Sequence, residues 1–314
     1  MSAERMAAAR KLHAKARARS NRILHVLLLP AIALAIVFSY IPMVGILMAF
    51  QDFNPSYGFS GFFRSPFVGF DNFVYLFNMP DFGRVVWNTV YISVLKIVFG
   101  QAVPIVFALL INEVRKSAVK RSIQTAVYLP HFLSWVILGG ILIDILSPSS
   151  GVVNAILKLF GFEPVFFLAN EQAFPIVLVV TDVWKEFGFG TIIYLASISS
   201  INPSLYEAAA IDGAGKFKQT LHITLPGMAP VIILLATLSL GNVLNAGFDQ
   251  VFNLYSPVVY RSGDIIDTFV YRLGLQDLQY SVAAVAGLFK SAIGFVLIVT
   301  SYALAYRFAK YRIF

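Results

Sequence analysis

The chain has 314 residues, of which 58% are hydrophobic and only 13% are charged. A soluble domain carries about 25% charged residues, so the composition excludes an ordinary water-soluble fold. Cysteine is absent, which excludes a disulfide framework, a thiolate metal site and a catalytic thiol.

Residues 1–22 carry seven Lys and Arg and read as a basic cytoplasmic N-terminal segment. The apolar run after it is about twice the 7–15 residues of a secretory signal. Pro42-Met43-Val44-Gly45 is no small-residue cleavage site, so the run reads as an uncleaved first span. The Ala/Arg/Lys stretch 3–19 favours helix and suits an anionic inner leaflet. A plain topology signal is the simpler reading of it.

Residues 23–51, 122–143 and 219–248 contain no Asp, Glu, Lys or Arg. Each run exceeds the roughly 20 residues that cross a hydrocarbon core. A very apolar soluble core is the alternative, but soluble helices keep a polar face and these runs lack one. Six transmembrane helices are predicted, at 23–50, 84–112, 122–146, 174–199, 227–249 and 279–306. The fold class is therefore all-α and integral to the membrane. With both termini in the cytoplasm, 16 of the 24 Lys and Arg lie on the inner side. That is the positive-inside pattern, and the reverse orientation is rejected.

Between the first two spans, 51–83 is an extracytoplasmic segment with too many turn formers for a span and too many Phe for a flexible linker. The second span holds Lys96, Gln101 and Pro104; the third is kinked near Pro130. Residues 147–172 read as a loop with a short surface helix from Val152 to Phe160. The fourth span carries Asp182, Trp184, Lys185 and Glu186, and the fifth ends with Asn242, Asn245 and Asp249. The sixth carries Lys290. The histidines His13, His25, His131 and His222 have no ligand spacing, so no metal site is read. No internal repeat or soluble domain is apparent.

The loop at 202–226 is the most informative part of the chain. Asn202-Pro203-Ser204 ends the fourth span and opens a helix, since Pro suits a first turn and Ser an N-cap. Ala208, Ala209 and Ala210 allow another surface to approach closely. Gly213 and Gly215 let the chain reverse. A second helical piece, Phe217 to Thr224, returns to the membrane and is expected to end at Pro226. Gly213-Ala214-Gly215-Lys216 is no phosphate loop. Position 210 is Ala, position 217 is Phe and no strand precedes it.

This loop resembles the coupling loop of ABC importer permeases: Glu-Ala-Ala, three residues, Gly, nine residues, Ile-x-Leu-Pro. Glu207, Ala208, Ala209, Gly213, Ile223, Leu225 and Pro226 match, and Asp212 and Ala214 fit the extended form. Gly69-x-x-Asn72-Phe73, Trp87-Asn88-Thr89 and Trp-Lys-Glu-Phe-Gly before the loop are similar to the carbohydrate-uptake permeases, in particular the alginate and polysaccharide group. The resemblance implies a type I (maltose-type) permease bundle over 84–306 with cytoplasmic coupling helices, and a cytoplasmic C-terminus at 307–314. It implies a second homologous permease in a heterodimer, two ABC ATPase subunits and an extracytoplasmic solute-binding protein. ATP and Mg then belong to the partner ATPase; this chain is no enzyme, carries no cofactor and binds no nucleic acid. It sits in the lipid bilayer of a bacterial cytoplasmic membrane and passes a sugar substrate.

Ionisable groups inside spans usually face a bundle interior or a water-filled cavity. Candidates for the translocation path are Asp182, Trp184, Lys185, Glu186, Asn242, Asn245, Asp249 and Lys290. Asp182 shares a helix face with Lys185 and Glu186, three and four residues on. With Trp184 beside them they form one expected patch of charge and aromatic plate. The structural alternative is that Lys290 pairs with Asp182 or Glu186, and that Lys185 snorkels to the outer interface. Two other functions compete with sugar import: an ABC permease for an amino acid, peptide or phosphate, and a secondary transporter without an ATPase. The latter should show inverted repeats, which are not found.

Overall fold

A computed structural model describes residues 26–309. The basic segment 1–22, the start of the first span and residues 310–314 lie outside the described residues. Apart from one isolated bridge, the regular structure of the described residues is helical. The chain forms two units, Met1–Asn72 and Phe73–Phe314.

In the first unit, α1 (Val26–Phe50) is a 25-residue apolar helix. It changes from α to a π turn at Ile36–Tyr40 and then to a 3-10 helix at Ile41–Phe50. Pro42 causes the change, because its ring opposes the carbonyl of the preceding turn and it has no N–H to donate. The chain then folds back on the end of α1. Gln51 bridges Phe67, and the Val68 amide donates to the Phe50 carbonyl at 2.9 Å. Asn72 Nδ2 donates to Ala49 O at 3.1 Å and Gln51 O at 2.9 Å, which gives the Gly69-x-x-Asn72 pattern a local structural role.

The second unit contains α2 (Phe82–Asn112), α3 (Ser117–Phe132), α4 (Trp135–Ile145), α5 (Val152–Leu159) and α6 (Phe174–Ser199). It continues with α7 (Pro203–Ile211), α8 (Lys216–Leu240), α9 (Phe248–Leu254), α10 (Ile266–Tyr271) and α11 (Tyr280–Ala309). α2 lies along α6, and α8 along α11. One core joins Ile92, Phe174 and Leu178 to Ala246, Val251, Leu254 and Ile265. A second joins Ala108, Tyr194, Ile198 and Met228 near the other end of α2 and α6. Gly188 lets α6 approach α3: a Cβ there would collide with the Val127 carbonyl oxygen.

Four helices among the described residues are long and apolar enough to cross a membrane: α1, α2, α8 and Tyr280–Ala303 of α11. α3 and α4 make a fifth if they form one bent span. The 26-residue α6 has the length but carries Asp182, Lys185 and Glu186 near its middle.

Three expectations need correction. The predicted span at 122–146 is two helices at 105°. Pro130 falls in a 3-10 turn, and the Ser134 hydroxyl accepts from the Ile137 amide to start a new helix. Pro226 does not end the returning helix, which runs from Lys216 through to Leu240. A π turn over Thr220–Thr224 displaces the carbonyls that the ring would strike. The fifth span stops at Leu240, not 249. Turns follow, with Asn245 N bonded to Asn242 O at 2.8 Å and Gly247 at φ +94°.

Candidate functional site

The hairpin of α7 and α8 is built from its caps. The Asn202 side chain accepts from the Ser204 amide at 3.0 Å, and Pro203 fills the first turn. α7 closes with two paired bonds: Ala214 N to Ala209 O at 2.8 Å and Gly213 N to Ala210 O at 3.1 Å. This Schellman closure places Gly213 at φ +77°, where a side chain is strained. Gln219 then donates to Ala214 O at 3.0 Å, and Tyr206 and Thr224 join the two limbs through their hydroxyls at 3.0 Å.

Glu207, Ala208, Asp212, Gly213 and Pro226 are exposed on this hairpin; Ala209, Ile223 and Leu225 are half-buried. Ile211 is 87% exposed and Phe217 80% exposed. Both of these apolar residues are exposed on the hairpin, and the motif did not single them out. Behind the hairpin lies a cavity of about 290 Å³ lined by Asn112, Glu113, Tyr206, Lys216, Gln219 and Thr224. Together these residues make a short, rigid, small-faced projection with an apolar tip.

The intramembrane polar residues separate into three groups. In the first, Lys96 Nζ reaches Asp182 Oδ1 at 3.2 Å, the Ala246 carbonyl at 2.7 Å and Gln250 Oε1. Fully buried Gln250 donates in turn to Leu178 O at 2.8 Å and Thr181 Oγ1 at 2.7 Å. Beside this network is a cavity of about 260 Å³ lined by Ser93, Lys96, Gln101, Asp182, Asn242 and Asn245. Asp182, Asn242 and Asn245 thus line one cavity, and the Asn242 amide donates to Leu238 O at 3.4 Å.

In the second group, Lys185 Nζ donates to His131 O at 2.9 Å and Glu186 Oε1 at 2.8 Å, while His131 Nδ1 meets Glu186 Oε2 at 2.7 Å. Lys185 therefore turns inward rather than snorkelling outward. In the third, Lys290 pairs with Asp267 Oδ1 at 2.5 Å, not with Asp182 or Glu186. Trp184 is not beside Asp182; it lines a separate apolar groove with Phe99, Val180, Val183 and Phe187. Asp249 is exposed on α9, and its carbonyl accepts from Asn253 at 2.7 Å.

Sequence reasoning missed Gln250 and His131. Gln250 fell one residue beyond the predicted end of a span and read as loop. His131 was judged only as a metal ligand, and its partner Glu186 lies 55 residues away.

Residues 100–311 match the family described as "Binding-protein-dependent transport system inner membrane component". The chain is similar to the protein LplB of Bacillus subtilis, 39% identical over 94% of this chain and 92% of that protein. It is also 39% identical to the polygalacturonan/rhamnogalacturonan transport system permease protein YteP of Bacillus subtilis, over 94% of this chain and 91% of the relative. Among solved structures it is similar to a chain of a bacterial ABC transporter involved in import of the acidic polysaccharide alginate. That match has a TM-score of 0.85 and 39% identity over 94% of this chain and 99% of the other.

Proposed function

The chain belongs to the family of binding-protein-dependent transport system inner membrane components, and from that premise we propose that it is a sugar-import permease subunit of an ABC transporter. Its substrate is an oligo- or polysaccharide. The names of the relative YteP and of the alginate transporter support that class. The subunit is a multi-pass, non-catalytic component of a bacterial cytoplasmic membrane, with six spans and both termini inside. α6 is the span that apolarity alone does not reveal, because it carries Asp182, Lys185 and Glu186; these charges are paired within the protein.

The Glu207 hairpin carries this reading. It is a preformed lever with an apolar tip, flanked by exposed Glu207 and Asp212, and held to its own helix by Tyr206 and Thr224. Each of two cytoplasmic ATPase subunits grips one such hairpin, one on this chain and one on a second, homologous permease. ATP and Mg bind to the ATPases. Their closure moves the hairpins together and rocks the helices outward; a solute-binding protein then releases sugar into the cavity, and hydrolysis restores the inward state. The cavity beside Lys96, Asp182, Asn242 and Asn245 forms part of this chain's wall of the path. One chain encloses only half a path, so the second permease is a physical requirement.

The test is reconstitution with the partner permease, ATPases and binding protein. Glu207→Lys and Gly213→Asp are expected to abolish sugar-coupled uptake while the protein stays in the membrane. Normal coupled uptake by both variants refutes the lever.

A further inference from the structure

α4 leaves its 105° elbow with α3 and carries Ile137, Ile141 and Ile145 at fourth positions, an exposed apolar stripe that runs to the end of the helix. α5 begins against that end. A Cβ on Gly151 would collide with the Ile145 carbonyl oxygen, so glycine is what lets the two helices meet. Buried Asn154 then fixes the arrangement. Its amide nitrogen donates to Ser147 O and to Val165 O, each at 3.0 Å, and its oxygen accepts from the Val165 amide at 2.8 Å. One side chain therefore ties α5 both to the turn that leaves α4 and to the chain returning toward α6.

With Asn154 turned inward, the outward side of α5 is apolar. Val152, Ile156 and Leu159 stand at positions i, i+4 and i+7 and are all exposed, Leu159 to 85%. Past the helix end, Phe160 is 75% exposed and Phe162 is exposed as well. Lys158 flanks the stripe in the last turn; it is exposed and has no ion-pair partner among the described residues.

A stripe of this kind needs a cover, and the clasp sets its depth. In the six-span reading, α4 ends and α6 begins at the outer face of the bilayer. A helix held against Ile145 therefore lies at headgroup level. An apolar outer side with a basic flank at that level is the pattern of a helix lying in the interface plane. The lysine stem can lie along the stripe and carry its ammonium to the phosphates.

We infer that α5 is an outer-leaflet lipid anchor: Val152, Ile156, Leu159 and Phe160 enter the boundary between headgroups and acyl chains, and Lys158 meets a lipid phosphate. The inference rests on the six-span reading with 147–172 outside. Exposed Glu163 balances Lys158, so apolar burial supplies the attachment and lipid charge matters little. The anchor gives the outer end of α4 a fixed level in the bilayer.

The chain has no cysteine, so L159C provides a single point for a fluorophore. In the complex with its partner permease and ATPases in lipid vesicles, a nitroxide high on the lipid acyl chain should quench this probe severalfold more than one near the chain end. Phosphatidylcholine vesicles with and without phosphatidylglycerol should give the same profile. Adding the solute-binding protein should leave it unchanged, and adding F160D should lower the shallow quenching severalfold. Absence of quenching overturns the anchor, as does a stronger effect from the deep nitroxide or indifference to F160D. Quenching that the binding protein abolishes assigns the stripe to that protein and overturns the anchor too. Topology is read separately: S149C on intact cells should react with a membrane-impermeant maleimide. Reaction only from the cytoplasmic side refutes the six-span reading, whereas outside reaction with an unquenched L159C probe refutes the anchor alone.

Discussion

Replacing Lys96 with Met tests the internal electrostatics most directly. The Lys96 side chain is 9% exposed and that of Asp182 26%, so the pair is largely shielded from water. The ammonium also holds the Ala246 carbonyl and Gln250, where the chain leaves α8 and enters α9. Met fills similar volume, so the loss is electrostatic rather than a cavity. Removing one partner of a buried pair costs about 3–5 kcal/mol. At about 1.4 kcal/mol per tenfold, that is roughly two to three and a half powers of ten in the folding equilibrium. The bonds to Ala246 and Gln250 are already inside this figure, because they act through the same ammonium and do not add independently. Asp182→Leu alone should cost a similar amount by orphaning Lys96. The double variant K96M/D182L should recover most of the loss, because an apolar pair leaves no uncompensated charge. Unfolding of the three variants and wild type in one detergent, followed by a double-mutant cycle, gives the coupling directly. Wild-type stability in K96M, or additive losses in the double variant, refutes the reasoning.

Two further outcomes follow from backbone geometry. Gly213→Val places a β-branched residue at φ +77° and should cost about 1–3 kcal/mol locally, read as faster proteolysis of the hairpin with little change in melting of the whole protein. Gly188→Ala forces α6 from the Val127 carbonyl and should lower overall stability by about 1–3 kcal/mol, seen as a lower melting temperature; unchanged melting contradicts the close packing described here.

What the sequence disclosed depended on range. The hairpin was legible because its main constraints are local: Pro203 opens the helix and Gly213 closes onto Ala210, although the cap is Asn202, which accepts from the Ser204 amide, and not the serine expected to cap it. The long apolar runs were legible because their length alone decides the matter. Pro226 was misread because proline ends a regular helix, while a π turn five residues wide absorbs it. The elbow was misread because Pro130 indicates a bend without giving its size. The pairings were beyond reach for a different reason. Lys96 meets Asp182 across 86 residues and Gln250 across 154, and Lys290, expected to pair with Asp182 or Glu186, pairs with Asp267. Trp184 shares a turn with Asp182 yet faces another groove, since two residues apart on a helix means opposite sides.

Those pairings bear on which sugars this subunit distinguishes. Relatives carry polygalacturonan or alginate in their names, and three lysines inside spans suggest cation sites for uronates. Each of the three is instead answered within the chain: Lys96 by Asp182, Lys185 by Glu186 and Lys290 by Asp267. A uronate that captured Lys96 would displace Asp182 and leave it unpaired at low dielectric, so the exchange gains little. On the proposed path, the wall at Lys96 would meet hydroxyls through Asn242, Asn245 and Gln101 rather than read charge. Asp182→Asn removes the competing anion while keeping the size and hydrogen bonding of the side chain. It should shift the complex toward galacturonate over galactose oligosaccharides, by about tenfold for one freed charge near an interior of intermediate dielectric. Uptake of the two sugars in competition measures the shift. An unchanged ratio in D182N, with transport intact, means that Lys96 does not border the path and that charge is read elsewhere.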